Sequence, residues 1–422
     1  MFNAGCNFYL IMVLNLLLLS VNLLEYENVC FKNEDSCKET TRRYLLYDVN
    51  RPEGFNLRRD VYMRLAVLFH NLQTSPDLNN FVLVLPPWSN LVHWSYSDIP
   101  EQIPWGYYFD LDSLKLFAPV IEMHEFFHSY PYKFSKITID EVYNLQHFEN
   151  MFETGDFRDR MEISPCRNKN DNNYFFYKNV SSANVKCLSY HGPATKLIEL
   201  LRNTTAITIL INHAEVVLHD TFGNAKYWQA RRSMRFNTDL KRISAEFRRN
   251  YLNSDDVNDK IVLPETWIKE KPRRDARGGP YVAVHLRRRD FVRSRPNEVP
   301  DLQNAAVQIK TVLKNLGLST VFVATDGTEA EFGELERLMG GYNVVRFVPP
   351  LGFMEKYKDG GAAIVDQIIC SCARYFVGTH ESTFTFRIQE EREIMGFPVD
   401  STFNVFCSEN GCPTPSVWKI VF

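Results

Sequence analysis

From Tyr281 to Gly378 the chain alternates short runs of β-branched and aromatic residues with amphipathic helical stretches, and no other feature narrows its fold so far. The apolar runs are Tyr281 to Leu286, Thr320 to Thr325, Tyr342 to Phe347 and Tyr375 to Gly378. Between them, apolar residues recurring at helical spacing predict helices over Leu302 to Leu316, Thr328 to Met339 and Gly361 to Arg374. Asp301 caps the first of these and Gly317 stops it, while Thr328-Glu-Ala-Glu331 has the form of a capping box. Strands separated by helices of about 10–15 residues pair in parallel through right-handed crossovers. The expectation is a doubly wound sheet.

The same pattern recurs upstream, in a strand at Tyr44 to Val49, the loop Asn50-Arg-Pro-Glu-Gly-Phe55, a helix over Leu57 to Leu72 and a strand at Phe81 to Leu85. Leu57, Val61, Leu65, Leu68, Phe69 and Leu72 give that helix one apolar face. Ala206 to Ile211 reads as another buried strand, whereas residues 100–205, rich in Pro, Asn and aromatics, do not parse. Charge, proline and glycine concentrate between Val257 and Gly279 and mark a boundary. A chain of 422 residues is too long for one ordinary core. The reading is therefore α/β: two Rossmann-like, doubly wound domains, residues 40–260 and 280–422, facing each other across a cleft. Ligands bind such sheets outside the carboxyl ends of their strands.

The first 24 residues stand apart. An apolar run from Phe8 to Leu24, broken only by Asn15, Ser20 and Asn22, predicts a secretory signal peptide, or a short membrane anchor if it stays uncut. No Lys or Arg precedes Lys32, so the usual basic flank is missing. Nine cysteines fit an oxidising compartment. Proximity pairs Cys30 with Cys37, Cys166 with Cys187 and Cys407 with Cys412; Cys370 and Cys372 lie in an apolar segment and are expected to stay reduced. Asn179 and Asn203 open glycosylation sequons. With 45% hydrophobic and 23% charged residues the composition is that of a folded globular protein, and a net charge of −3 gives no field for nucleic acid.

Five short stretches bear on chemistry. In His285-Leu-Arg287-Arg-Arg-Asp290, at the end of a predicted strand, continued alternation would put His285, Arg287 and Arg289 on one face, with Arg288 and Asp290 opposite. An arginine suits a diphosphate, because its planar fork grips two oxygens; the competing reading is a solvated sheet edge. Ser382 and Thr383 can cap a helix whose first amides would face a phosphate. In Pro52-Glu-Gly-Phe-Asn56, Glu53 would be held at the mouth of the cleft, and Gly54 allows a close backbone approach. His124-Glu-Phe-Phe-His128 matches a zinc-peptidase pattern, but Pro131 ends any helix there and no third ligand follows at familiar spacing. Asp110-Leu-Asp112 fits helix capping near Ser113 better than a metal-binding pair. Phosphate-binding glycine loops are absent, which disfavours nicotinamide cofactors and ATP.

Taken together and in this order, the loop Pro52 to Asn56, His285-Leu-Arg287-Arg-Arg-Asp290, Asp366 and Ser382-Thr-Phe384 resemble the protein O-fucosyltransferases, most closely the branch that modifies thrombospondin type 1 repeats. The resemblance implies a GT-B fold and an inverting peptide O-fucosyltransferase. It also implies GDP-fucose as donor, no metal or other cofactor, and a monomer in the endoplasmic reticulum lumen. By it, Glu53 is the catalytic base, Arg287 holds the β-phosphate and Glu391 is needed for activity. Pro52, Gly54, Phe55, Asn56, His285, Leu286, Asp366, Ser382, Thr383 and Phe384 line the donor pocket. The alternatives are transfer to EGF-like repeats, a peptidase built on the HEFFH segment, and a binding protein without activity.

Overall fold

Tyr44, Leu45, Leu46 and Tyr47 are all buried, and their alternation divides them between two cores. Leu45 and Tyr47 join one apolar cluster, Tyr44 and Leu46 another, so strand β1 (Arg43–Tyr47) is covered on both faces, as a central parallel strand must be. The structure is a computed structural model that describes residues 42–422 except 52, 90, 92–93, 95–101, 130–136, 168–179 and 297. The expected signal peptide, the Cys30 and Cys37 pair, Pro52 and the Asn179 sequon lie outside the described residues. Among those residues no helix is long and apolar enough to cross a membrane.

The first half of the chain runs β1, α1 (Phe55–Leu72), β2 (Phe81–Leu85), α2 (Leu111–Lys115), β3 (Val120–Glu122), α3 (Met123–Ser129), β4 (Ile137–Gln146), α4 (Met151–Thr154), β5 (Arg160–Ser164), β6 (Val180–His191), α5 (Leu197–Arg202) and β7 (Thr208–Asn212). These strands form one seven-stranded sheet in the order β3-β2-β1-β7-β4-β6-β5. All neighbours are parallel except β5 against β6. Among the described residues that edge is the one antiparallel pairing in the sheet. Cys187 lies opposite Ser164 across it, and the Cys166–Cys187 disulfide closes the edge.

After β7 come α6 (Ala225–Ser233) and α7 (Thr238–Leu252), then the second sheet: β8 (Gly279–Leu286), α8 (Arg289–Ser294), α9 (Leu302–Leu316), β9 (Thr320–Thr325), α10 (Glu329–Met339), β10 (Asn343–Val345), α11 (Phe353–Ser371), β11 (Ala373–Gly378) and α12 (Thr383–Met395). Its order is β10-β9-β8-β11, parallel throughout. Helix α10 opens on the expected capping box, and Asp301 and Gly317 bound α9 as read. Helix α11 starts earlier than expected because a first turn joins it through a kink at Lys358 (φ 51°).

Two features tie the sheets together. Helix α7 precedes the charged, proline-rich stretch yet packs on the second sheet's side: Phe247 meets Phe322 and Phe347 at 5.9 and 5.6 Å. The stretch itself is packed rather than free, with Trp267, Glu270 and Ala276 buried. Across the divide Tyr108 donates to the carbonyl of Tyr357 at 3.1 Å. Gly360 lets α11 come that close, since a Cβ there would sit 2.7 Å from Trp94 and Tyr108.

Candidate active site

In the first sheet β1 is flanked by β2 and β7, and in the second β8 is flanked by β9 and β11. Both are topological switch points, where the chain leaves a central strand and its neighbours turn away to opposite sides. The crevice at the carboxyl end is the binding place in such sheets. The loop bearing Glu53 follows β1, and Arg287 follows β8.

One side chain shapes the first loop. Arg58, buried in the opening turns of α1, donates through Nε to the carbonyl of Glu53 at 3.0 Å and through Nη2 to those of Val49 and Asn50 at 3.3 and 3.1 Å. Asp48 lies 3.9 Å from it. A single guanidinium thus satisfies carbonyls that a tight loop would otherwise strand. Glu215 holds the same loop from β7's side, accepting from the Asn50 amide at 3.0 Å and lying 3.2 Å from His213 Nδ1. Glu53 is half-buried; partial burial first, and the Glu215 charge second, raise its carboxyl above the ordinary glutamate value, against the pull of Arg58 and Arg64. Gly54 stands at the N-cap of α1 in an extended conformation, with no side chain over the helix start. Phe55 is buried among Trp88, Trp94 and Tyr108. Asn56 accepts from Gln367 of α11 at 2.9 Å.

At the other switch point the strand stops at Leu286, and the expected alternation stops with it. The Arg287 amide turns to Thr379 Oγ1 at 2.9 Å and the Arg288 amide to the Asp326 carboxylate at 2.6 Å. Helix α8 begins at Arg289, so Asp290 comes round to Arg287 instead of pointing away, 2.6 Å from its guanidinium. Asp326, at the end of β9, grips the same guanidinium from the other side. Arg288 is structural, bonded to Glu331 at 3.0 Å and the Pro300 carbonyl at 2.9 Å, and Arg289 is exposed.

His285 is buried, stacked on Phe384 at 4.4 Å and bonded through Nδ1 to Thr385 Oγ1 at 2.9 Å. Burial, then the Arg287 charge, push it down to about 3, so the ring is neutral at physiological pH. Gly378 permits this contact: a Cβ there would lie 2.2 Å from Thr385. Ser382 occupies the N-cap of α12 but its side chain makes no capping bond, contrary to expectation, so the first turn, with Thr383 and Phe384, keeps its amides uncapped by it. Asp366, on α11, accepts no hydrogen bond among the described residues, and burial drives it up to about 8 against the pull of Arg346. It is the acid in this region whose charge is least provided for.

Glu391 sits apart from these groups in a charge cluster between helices. Arg231 of α6 bonds Glu390 at 2.7 Å and Glu391 at 2.8 Å; Tyr227 also bonds Glu390, and Arg387 lies 3.7 Å from Asp60 of α1. The sequence reading missed Arg58, Glu215, Asp326 and Gln367. Only Asp326, polar at a strand's carboxyl end, left a signal that could have found it. The HEFFH segment is a short helix in which His128 Nδ1 contacts the His124 carbonyl at 2.6 Å, and both histidines are exposed. Neither belongs to a group able to hold a metal among the described residues. Asp110 caps α2 through the Ser113 amide, as expected. The Cys407–Cys412 disulfide forms, Cys370 and Cys372 stay reduced and buried, and Asn203 is exposed.

Two α/β sheets that offer a carboxylate and an arginine from the ends of their central strands make a GT-B glycosyltransferase. The chain belongs to the GDP-fucose protein O-fucosyltransferase family, whose model matches residues 44–395. It is 44% identical over 396 residues to "GDP-fucose protein O-fucosyltransferase 2" of Homo sapiens, covering 90% of each chain. To the protein of the same name in Caenorhabditis elegans it is 41% identical over 399 residues, 90% of this chain and 91% of that one. The Drosophila melanogaster protein matches at 42% over 404 residues, 90% and 82%. Among solved structures, POFUT1 in complex with GDP-fucose aligns with a TM-score of 0.55 at 16% identity, over 86% of this chain and 98% of the other. The fold is the same.

Proposed function

We propose that the chain transfers L-fucose, with inversion, from GDP-β-L-fucose to a Ser or Thr hydroxyl of folded, disulfide-bonded thrombospondin type 1 repeats. The observation that carries this reading is Glu53, a half-buried carboxylate of raised proton affinity whose backbone carbonyl Arg58 fixes at the switch point of one sheet. Its counterpart on the other sheet is an arginine fixed by two carboxylates. Glu53 takes the proton of the acceptor hydroxyl as the oxygen attacks the anomeric carbon opposite the diphosphate. The bond from that carbon to the β-phosphate oxygen breaks, and its electron pair leaves with GDP. One displacement converts a β-linked donor into an α-linked product.

Charge building on the β-phosphate meets Arg287 and the amides at the start of α12. A guanidinium has five N–H donors, enough to keep Asp290 and Asp326 while bonding phosphate. Gly54, Phe55, Asn56, Leu286 and His285 line the donor pocket with Ser382, Thr383 and Phe384. Asp366 accepts the ring N–H and amino group of guanine. Glu391 acts at one remove, through Arg231, by holding α12 in place. In this reading the charge is met by protein groups, so no metal is required. The two disulfides and the exposed Asn203 sequon support residence in the endoplasmic reticulum lumen.

The test is incubation with GDP-fucose and either thrombospondin type 1 or EGF-like repeats, each folded or reduced, with and without EDTA. The expected result is one deoxyhexose on folded thrombospondin repeats only, undiminished by EDTA. Modification of EGF-like repeats instead would show that the acceptor is misassigned.

A further inference from the structure

Arg59, one turn into α1, is fully buried, yet no carboxylate pairs with it among the described residues. Its Nη1 donates to Gln367 Oε1 at 2.7 Å and to Asn56 Oδ1 at 3.3 Å, while Nε and Nη2 have no hydrogen-bond partner among the described residues. Phe55, Phe109 and Phe236 surround it at 5.6, 5.4 and 5.2 Å. Burying a guanidinium against neutral amides and ring faces is costly, and an apolar residue of similar size would fill the space at lower cost. Such a charge needs a reason.

The hydrogen bonds supply one. Arginine can only donate, so the Gln367 atom facing Arg59 must be its oxygen, which leaves the Gln367 nitrogen to donate to Asn56 Oδ1 at 2.9 Å. Asn56 Oδ1 therefore receives two donors, and the orientation of its amide is settled. Asn56 is half-buried, and its Nδ2 bonds nothing among the described residues, beside the loop that carries Glu53. A bond from a cationic donor to the amide oxygen also polarises the amide and strengthens its N–H groups.

We infer that Arg59 and Gln367 are positioning residues for the donor: they lock the Asn56 amide with its nitrogen outward, to donate to an oxygen of the bound sugar nucleotide. The inference rests on the donor assigned under Proposed function and adds how this part of the site obtains its polarity. Gln367 stands on α11, one residue after Asp366, and Asn56 stands on α1. The amide reads correctly only when helices from both halves of the chain are in register. Docking of the two halves and completion of the donor pocket are thereby the same event.

The experiment is calorimetric binding of GDP-fucose and of GDP to the unmodified chain, Asn56→Ala, Gln367→Met and the double variant. Gln367→Met should weaken GDP-fucose binding about five- to tenfold, the worth of one hydrogen bond. Asn56→Ala should do the same, and the double variant should bind no worse than Asn56→Ala alone, because Gln367 acts only through Asn56. Equal losses with GDP place the accepting oxygen on the diphosphate; a loss confined to GDP-fucose places it on the sugar. Gln367→Glu serves if the methionine variant does not fold. It keeps a partner for Arg59 but presents only acceptors to Asn56, and the same weakening is expected. Unchanged binding by the Gln367 variants, or losses that multiply in the double variant, would overturn the inference while leaving the donor intact. Failure of the unmodified chain to bind GDP-fucose would instead remove the donor assignment, and the inference with it.

Discussion

Asp366 ties donor binding to pH. Its carboxyl is pushed up to about 8, chiefly by burial, so at pH 7 roughly nine in ten molecules carry the proton when the site is empty. The ring N–H and amino group of guanine are donors, and a carboxylate accepts both better than a carboxylic acid. Binding then takes the ionised form and releases about 0.9 proton per GDP-fucose at pH 7. The apparent affinity should rise with pH, by roughly 50-fold between pH 6 and pH 8, and level off above that. GDP-fucose is the right ligand because its diphosphate is esterified at both ends and loses no proton near neutrality. His285, pushed down to about 3, contributes nothing in this range. Calorimetry at pH 7 in buffers of different ionisation enthalpy counts the protons directly. Asp366→Asn should bind more weakly, release none and show flat affinity. Proton release below about 0.2 in the unmodified chain, or the same pH dependence in Asp366→Asn, would refute the reasoning.

Glu215→Gln removes the negative charge that helps raise Glu53 but keeps an acceptor for the Asn50 amide, so Glu53 should lose its proton at lower pH and the acid limb of kcat/KM for the acceptor, measured at saturating GDP-fucose so that Asp366 does not contribute, should move down. An unmoved or upward-moved limb would mean that another group controls it. Arg231→Met removes one of the two cations on buried Glu390, leaving Arg387, and takes the cation of Glu391, so it should cost about 3 kcal/mol in urea unfolding. An unchanged midpoint would show that the cluster does not hold α12. Burial raises Cys370 well above the ordinary thiol value and Cys372 to about 12, so iodoacetamide should label neither in the folded chain and both after unfolding in guanidinium.

What could be read from the sequence followed how local its physics was. The strands and helices of the second sheet were legible because each obeys one period and carries its own caps: Asp301, Thr328 and Gly317 act where they were read. Residues 100–205 resisted because β4 and β6 are each covered unevenly along their length, so neither shows a clean alternation. In the site, Glu53, Arg287 and the start of α12 could be placed at strand ends. Their supports could not. Asp326 meets Arg287 across 39 positions and Gln367 meets Asn56 across 311, contacts that only the closed fold creates. Asp290 was put on the wrong side of the cluster, because the strand ends at Leu286, just before the arginines, and the chain coils into a helix.

The proton-accepting role of Glu53 is tested most directly by comparing the unmodified chain with Glu53→Gln for transfer from GDP-fucose to a folded thrombospondin type 1 repeat, with GDP affinity measured on the same samples. The amide keeps the shape of the loop and its bonds to Arg58, which run through the backbone carbonyl. GDP should therefore bind unchanged while transfer falls by at least about 100-fold. Transfer within about twofold of the unmodified chain, with GDP still bound, would contradict the assignment.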